Sequence, residues 1–268
     1  MWVFDPILRR LTRVPIGMGG ARIWSPVPDG EPAWDSIVTL EAPSGVRDPL
    51  WLNDSTIVGV TLSPVGDRLA FFGRRGRSIR VSGDYPPGVS LPVAIRSQVY
   101  QGPLLLAHDG SRLVVATRFR GSLDVYGKEG RLLKHGEGPF DFQPIFHVVP
   151  GNKTRGSGPT TAATIDQRLG YLDLAEYHGN ILALFSGRRL GNYPKNANFA
   201  NHVHVFDWDL KFLCALTLDR DILSIATDEE SSVLYGVQND PIPAVVRFDL
   251  TKGVCSSAIE GVESVARD

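Results

Sequence analysis

Arginine is the residue type with the clearest capacity for chemistry in this sequence. The chain holds 22 arginines against 6 lysines, and nine of them fall in five short segments: PILRR, GRRGR, TRFRG, SGRRLGNYPKNANFAN and NDPIP. They are Arg9, Arg10, Arg74, Arg75, Arg77, Arg118, Arg120, Arg188 and Arg189, several times the share that even scattering would give. A guanidinium offers a planar fork of donors that matches a carboxylate or phosphate, so clustered arginines suit anion recognition through paired, charge-assisted bonds. The same loops would also carry arginine as solvated charge or in pairs with nearby acids. A GC-rich genome favours arginine over lysine as well, and Asp240 in the fifth segment breaks the pattern.

Other combinations are thinner. His202 and His204 are two apart, so on a strand both side chains leave one face. That spacing supplies two ligands to zinc, but no third is identifiable. Asp207 and Asp209 flank a turn like half of a calcium loop, without the glycine and closing glutamate such a loop uses. Glu176, Asn180 and Asp166 are the residues a calcium-dependent hydrolase or lactonase of the propeller kind would draw on, yet they do not recur at one spacing. There is no G-x-S-x-G, no H-E-x-x-H and no G-x-x-x-x-G-K-[ST]. Gly136-x-Gly138 leads into Pro139 and an aromatic rather than a helix, which argues for a turn and against a dinucleotide fingerprint. The five tryptophans do not share one face and read as packing residues. The sequence therefore assigns no catalytic, metal-binding or cofactor-binding residue, and expects no cofactor.

The elements that must position the arginines are strands. The segment LLLAHDGSRLVVATRFRGSLDVYGKEGRLLK, residues 104 to 134, reads as four alternating apolar stretches punctuated by Asp109-Gly110 and Glu129-Gly130. Similar units appear at 60–83, around NILALFSGRR with HVHVFDWDLKFLCALTL, and in ILSIATDEESSVLYGVQNDPIPAVVRFDLTKGVC; WVFDPILRRLTRVPI fits from the second strand onward. Placing the third strands at Leu11, Ile79, Leu123, Val203 and Val245 gives intervals of 68, 44, 80 and 42 residues. Two match the ~40–45 residues of a four-stranded propeller blade. The longer ones imply insertions, at roughly 16–50 and 138–165, rich in glycine and proline and read as loops. No window sustains a helical apolar period. The expectation is an all-β propeller of four-stranded antiparallel blades, a single domain over 1–268, with five units visible and the first incomplete. In that fold the loop after each second strand gathers at one channel mouth. Arg74, Arg75, Arg118, Arg120, Arg188 and Arg189 are then the candidate binding residues.

Net charge is −1, which provides no global field for nucleic acid. No apolar run is long enough for a membrane span, and no signal peptide follows Met1. Cys214 and Cys255 sit at what look like corresponding places in successive repeats, where side chains of neighbouring blades would splay apart. The sequence predicts two small buried residues without a bond between them.

The order of ILALFSGRR, HVHVFDWDLKFLCALTLDRDILSIATDEESSVLYGV, LSPVGDRLAFF and KHGEGPFDFQPIF resembles the TolB-like six-bladed propeller family of uncharacterised bacterial proteins, over roughly residues 50 to 250. The resemblance implies six blades and a periplasmic or cell-surface location, often with a lipid anchor. It implies no activity. With five units in view, a native chain that begins upstream of Met1 is expected. The functional expectation is a monomeric, non-catalytic scaffold that binds an unknown protein or small anionic ligand at one channel mouth; the calcium-dependent enzyme is the alternative.

Overall fold

The computed structural model describes residues 2–5, 10–13, 37–41, 45–62, 67–87, 91–151, 159–191, 197–238, 243–251, 255 and 261–264. Strands dominate. A first, three-stranded sheet comprises β1 (Trp2–Asp5), β2 (Arg10–Arg13) and β3 (Ile37–Thr39). The second contains β4 (Val46–Asn53), β5 (Thr56–Thr61), β6 (Leu69–Gly73) and β7 (Ser78–Ser82). After the short helix α1 (Val93–Val99) comes the third, with β8 (Leu104–Leu106), β9 (Arg112–Ala116), β10 (Ser122–Gly127) and β11 (Leu132–Glu137). A two-stranded hairpin, β12 (Phe146–Val149) and β13 (Thr160–Ala163), precedes the fourth sheet. That sheet holds β14 (Tyr171–Tyr177), β15 (Asn180–Phe185), β16 (Ala200–Phe206) and β17 (Phe212–Ile222). The fifth has β18 (Ile225–Asp228), β19 (Val233–Gln238), β20 (Ala244–Asp249) and β21 (Gly261–Ser264). Each four-stranded sheet is an antiparallel meander in chain order.

Packing follows from the two faces of a strand. Successive side chains point to opposite sides, so a sheet buried on both faces needs near-continuous apolar runs. LVVA in β9 is such a run: Leu113 and Val115 pack with Val58, Val60, Leu69 and Phe71 of the second sheet, while Val114 and Ala116 pack with Ile181, Ala183 and Phe185 of the fourth. In β15 the alternate residues Leu182 and Leu184 turn to Leu234, Val246 and Phe248 of the fifth sheet. On the other side, Ile57, Ala70 and Phe72 cover Val38 and Leu40 beside β3. A sandwich would bury one face of each sheet; here the second, third and fourth sheets are buried on both. Consecutive sheets stacked face to face are the blades of a β-propeller.

The blades are also joined along their outer strands by a contact that recurs at one position. Arg80 stands opposite Phe71, Lys134 opposite Val125 and Cys214 opposite Val205, each immediately before a register shift between the third and fourth strands. Each reaches the turn between the third and fourth strands of the next blade. Arg80 donates to the Glu129 carbonyl at 2.8 Å and lies 3.8 Å from its carboxylate. Lys134 lies 3.8 Å from Asp209. Cys214 is disulfide-bonded to Cys255, with Cα atoms 5.7 Å apart. This overturns the expectation of two unbonded cysteines. Cys255 belongs to the connection between β20 and β21, the place Glu129 and Asp209 take in their own blades, so it faces back toward the preceding outer strand.

Two further expectations change. Ile79 lies on the fourth strand of its sheet, because Val46–Asn53, which begins within the insertion expected at roughly 16–50, supplies an additional first strand. Part of the second insertion, Thr160–Ala163 with Phe146–Val149, is a hairpin rather than loop.

Candidate functional site

In the third blade the loop between β9 and β10 lies at the edge where the chain passes to the next blade. Gly170 donates to the Arg118 carbonyl at 2.6 Å and Gly138 to the Gly121 carbonyl at 2.6 Å. Gly138 has no room for a side chain: a Cβ there would sit 2.3 Å from the Tyr171 hydroxyl. This close approach turns the chain after β11 across the blade edge and places Pro139–Phe142 opposite the loop after β15.

The chain before β14 runs beside that loop. Leu169 donates to the Arg188 carbonyl at 2.9 Å and Gly187 to the Leu169 carbonyl at 2.8 Å, and Arg168 and Arg189 face each other in an isolated antiparallel bridge. Between these segments lies a cleft of about 880 Å³, whose lining includes the aromatic Phe140, Phe142 and Phe185, the basic Arg168, Arg188 and Arg189, and also Asp141, Asn201 and His202.

The aromatic residues cluster, with Phe140 5.8 Å from His204. Phe140, 59% exposed, stacks on Phe185 at 5.6 Å, and Phe185 stacks on the buried His204 at 4.4 Å. Burial pushes the His204 imidazole down to about 4, with His202 adding to the effect, so it is neutral at physiological pH. Tyr171 hydroxyl lies 3.2 Å from His204 Nδ1. His202 and His204 do share a face of β16, but His202 lines the cleft and His204 is packed beneath it. No group of three metal-ligating side chains occurs among the described residues.

The basic residues are only partly neutralised. Arg188 makes a bidentate pair with Asp221 at 2.5 and 2.7 Å, and Arg189 lies 3.5 Å from Asp166. Arg168 donates to the Gly187 carbonyl at 2.8 Å and has no carboxylate within ion-pair reach among the described residues. Like charges set opposite one another across a strand pair repel. Arg168 and Arg189 do so with one carboxylate between them.

The other predicted residues fall elsewhere. Arg118 and Arg120 lie at the same edge, in the loop between β9 and β10. Arg118 donates to Asn198 at 2.5 Å, and burial together with Arg47 lowers its pKa. Arg120 pairs with Glu137 at 2.5 Å. Arg74 and Arg75 are exposed in the tight turn between β6 and β7, which lies at the opposite edge of its sheet from the loop after β5. They do not join the cleft; the added first strand of that blade moves the count by one. Arg10 lies in β2, and Arg9 and Asp240 fall outside the described residues. Asp207 Oδ1 accepts from the Asp209 and Lys211 amides at 2.9 Å each, closing a turn. Glu176 accepts from the His108 amide at 2.6 Å and from Trp208 Nε1 at 3.2 Å, a blade-to-blade link; Asn180 lies in the same hairpin, opposite Tyr177. Trp51 and Trp208 pack between blades.

Two features have no signature in sequence. Arg68, fully buried, is ion-paired with buried Asp124 and lies 3.2 Å from both Tyr126 hydroxyl and Thr117 Oγ1. Asp124 also bonds His135 at 2.6 Å, and His135 lies 3.1 Å from Glu137, the partner of Arg120. Burial opposes charge on Asp124, but Arg68 and His135 outweigh it and hold the carboxyl below its usual range. On the inner strands, Asp48 has a φ of 46° and is reached by solvent yet surrounded by protein; burial raises its pKa against Arg47 and Arg118. Burial likewise pushes Asp173 up to about 6, although its oxygens accept from the Leu174 and Ile225 amides at 2.9 and 2.8 Å.

No family model and no curated protein matches the chain. Among solved structures it is similar to Raptor from Chaetomium thermophilum, at 12% identity and a TM-score of 0.42, over 75% of this chain and 15% of that one. The chain thus spans a small part of that protein's length. No helix among the described residues is long and apolar enough to cross a membrane.

Proposed function

We propose that this chain is a non-catalytic propeller module that holds an anionic group, carried by a small ligand or a protein, in the cleft between the third and fourth blades. One observation carries the reading: the bridge of Arg168 with Arg189 brings two arginines together in the cleft lining, and among the described residues a single carboxylate, Asp166, lies within ion-pair reach of them. A bound carboxylate or phosphate relieves that repulsion and uses the fork geometry of both side chains. Phe140 and Phe185 beside them exclude water from one side of the contact, which strengthens it.

The finer reading places the chain with TolB-like propellers of six blades outside the cytoplasm. The Cys214–Cys255 bond supports an oxidising location, since structural disulfides persist there and are reduced in the cytosol.

The test is thermal stabilisation by phosphate and by acetate at low and high salt. Wild type gains stability with ligand by mass action, and the gain shrinks as salt screens the charges. Arg168→Glu with Arg189→Glu abolishes the gain while the unliganded protein keeps its far-ultraviolet spectrum. An equal gain in wild type and double variant refutes the reading.

A further inference from the structure

The cleft does not stand alone. A depression of about 420 Å³, lined by Phe142, Ile145, Asp166, Arg168 and Arg189, adjoins it. Another of about 590 Å³ is lined by Arg188, Asn201, Asp219, Arg220 and Asp221. The first shares Phe142, Arg168 and Arg189 with the cleft and the second shares Arg188 and Asn201; the cleft with these two neighbours is termed the groove.

The segment flanking this groove is unusually apolar on its outside. Five of the twelve exposed large apolar residues among the described residues fall within 140–165: Phe140, Ile145, Val148, Val149 and Ile165, the last 73% exposed. Scattered exposed apolar residues need no explanation, but five concentrated between residues 140 and 165, beside the arginines of the cleft, point to an interaction surface. The set is also fixed in place. Gln98 accepts from the Thr161 amide at 2.8 Å and from the Thr160 hydroxyl at 2.9 Å, tying β13 beside α1. The Ile145 amide donates to Gln167 at 2.5 Å, and the Gly191 amide to the Ile165 carbonyl at 2.7 Å. Such anchoring lowers the ordering cost that binding would otherwise carry.

We infer that the groove receives an extended segment of a partner protein in which an acidic side chain is flanked by large apolar ones. The inference rests on the anion-binding reading above and narrows it. The acidic side chain pairs with Arg168 and Arg189, and its apolar neighbours cover Phe140 on one side and Ile145 with Ile165 on the other. A small anion satisfies the arginines but leaves those apolar side chains in water. An extended chain reaches both, because alternate side chains of a strand-like peptide meet alternate pockets.

The experiment selects peptides from a randomised phage-displayed library on the intact chain, then measures the synthesised winners by fluorescence anisotropy. The expected result is a consensus with Asp or Glu between large apolar residues. Replacing the acid by its amide, or the apolar neighbours by serine, should weaken binding about tenfold or more, equivalent to about 1.4 kcal/mol. Ile165→Ser should weaken the peptide severalfold while leaving stabilisation by phosphate unchanged, and Phe140→Ser should weaken the peptide severalfold as well. Phosphate binding without any such consensus, or peptides indifferent to Phe140→Ser and Ile165→Ser, overturns the inference and leaves the anion site standing. Loss of phosphate binding in wild type itself overturns the underlying reading. Sedimentation across a concentration series covers the remaining occupant: self-association abolished by Ile165→Glu would show that a second copy fills the groove, and would overturn the partner segment.

Discussion

Reducing the Cys214–Cys255 bond, or replacing both residues by serine, perturbs the one blade junction whose outer contact is covalent. The two cysteines are 41 residues apart, and the loop-closure relation for a cross-link of that length gives about 4 kcal/mol of stabilisation, mostly by restricting the unfolded chain. The equivalent contacts are non-covalent: Arg80 bonds the Glu129 carbonyl beside an exposed ion pair, and Lys134 with Asp209 is an ion pair on side chains 48% and 81% exposed. Such pairs contribute about 0–1 kcal/mol. The junction between the fourth and fifth blades therefore depends on its staple far more than the other two depend on theirs. Urea unfolding of oxidised and reduced protein should differ by about 4 kcal/mol, whereas Lys134→Ala should change stability by less than about 1 kcal/mol. Hydrogen exchange should show the lost protection concentrated in β18 to β21, because opening is local where the cross-link is removed. Two reactive thiols in the untreated native protein would refute the bond. A reduced protein within about 1 kcal/mol of the oxidised one would refute the energetic argument.

Two further outcomes follow from buried groups. His204 is held neutral, with its pKa pushed from 6.5 to about 4; a depressed pKa contributes stability that is present above pH 6.5 and is lost as pH falls toward 4, a difference of about 3 kcal/mol. Denaturation midpoints of wild type should therefore fall across that window while His204→Phe shows a flatter profile, and parallel profiles would refute the assignment. Arg68→Met leaves Asp124 buried without its main counter-charge and should cost about 3–5 kcal/mol, with Asp124→Val recovering part of the loss in the double variant; chemical denaturation of the four proteins measures the coupling, and simple additivity would show that the pair is not a unit.

Much of the fold is legible because double-sided burial leaves a mark in the chain. LVVA and ILALF are apolar at consecutive positions, as a strand pressed between two neighbouring blades requires. Their bounding turns are equally visible, as with Glu129-Gly130, where Gly130 has a φ of 86°. The strand Val46–Asn53 has no clear signature in the sequence because Pro49 and a register shift between Arg47 and Leu50 interrupt its alternation. Without that strand in the count, Arg74 and Arg75 are assigned to the wrong edge of their sheet.

The sequence by itself determined the class of architecture, the positions of most turns and the presence of arginines in the loops after the second strands of the third and fourth blades. Tertiary structure decided which of them act together. Arg168 lies in a connecting stretch with no local signal, and only the pairing of that stretch with the loop after β15 brings it to Arg189. Cys214 and Cys255 likewise meet because an outer strand leans on the next blade's turn. Local periodicity reports which face of a strand is buried, but it says nothing about which distant segment lies against it; that is set by how the blades stack.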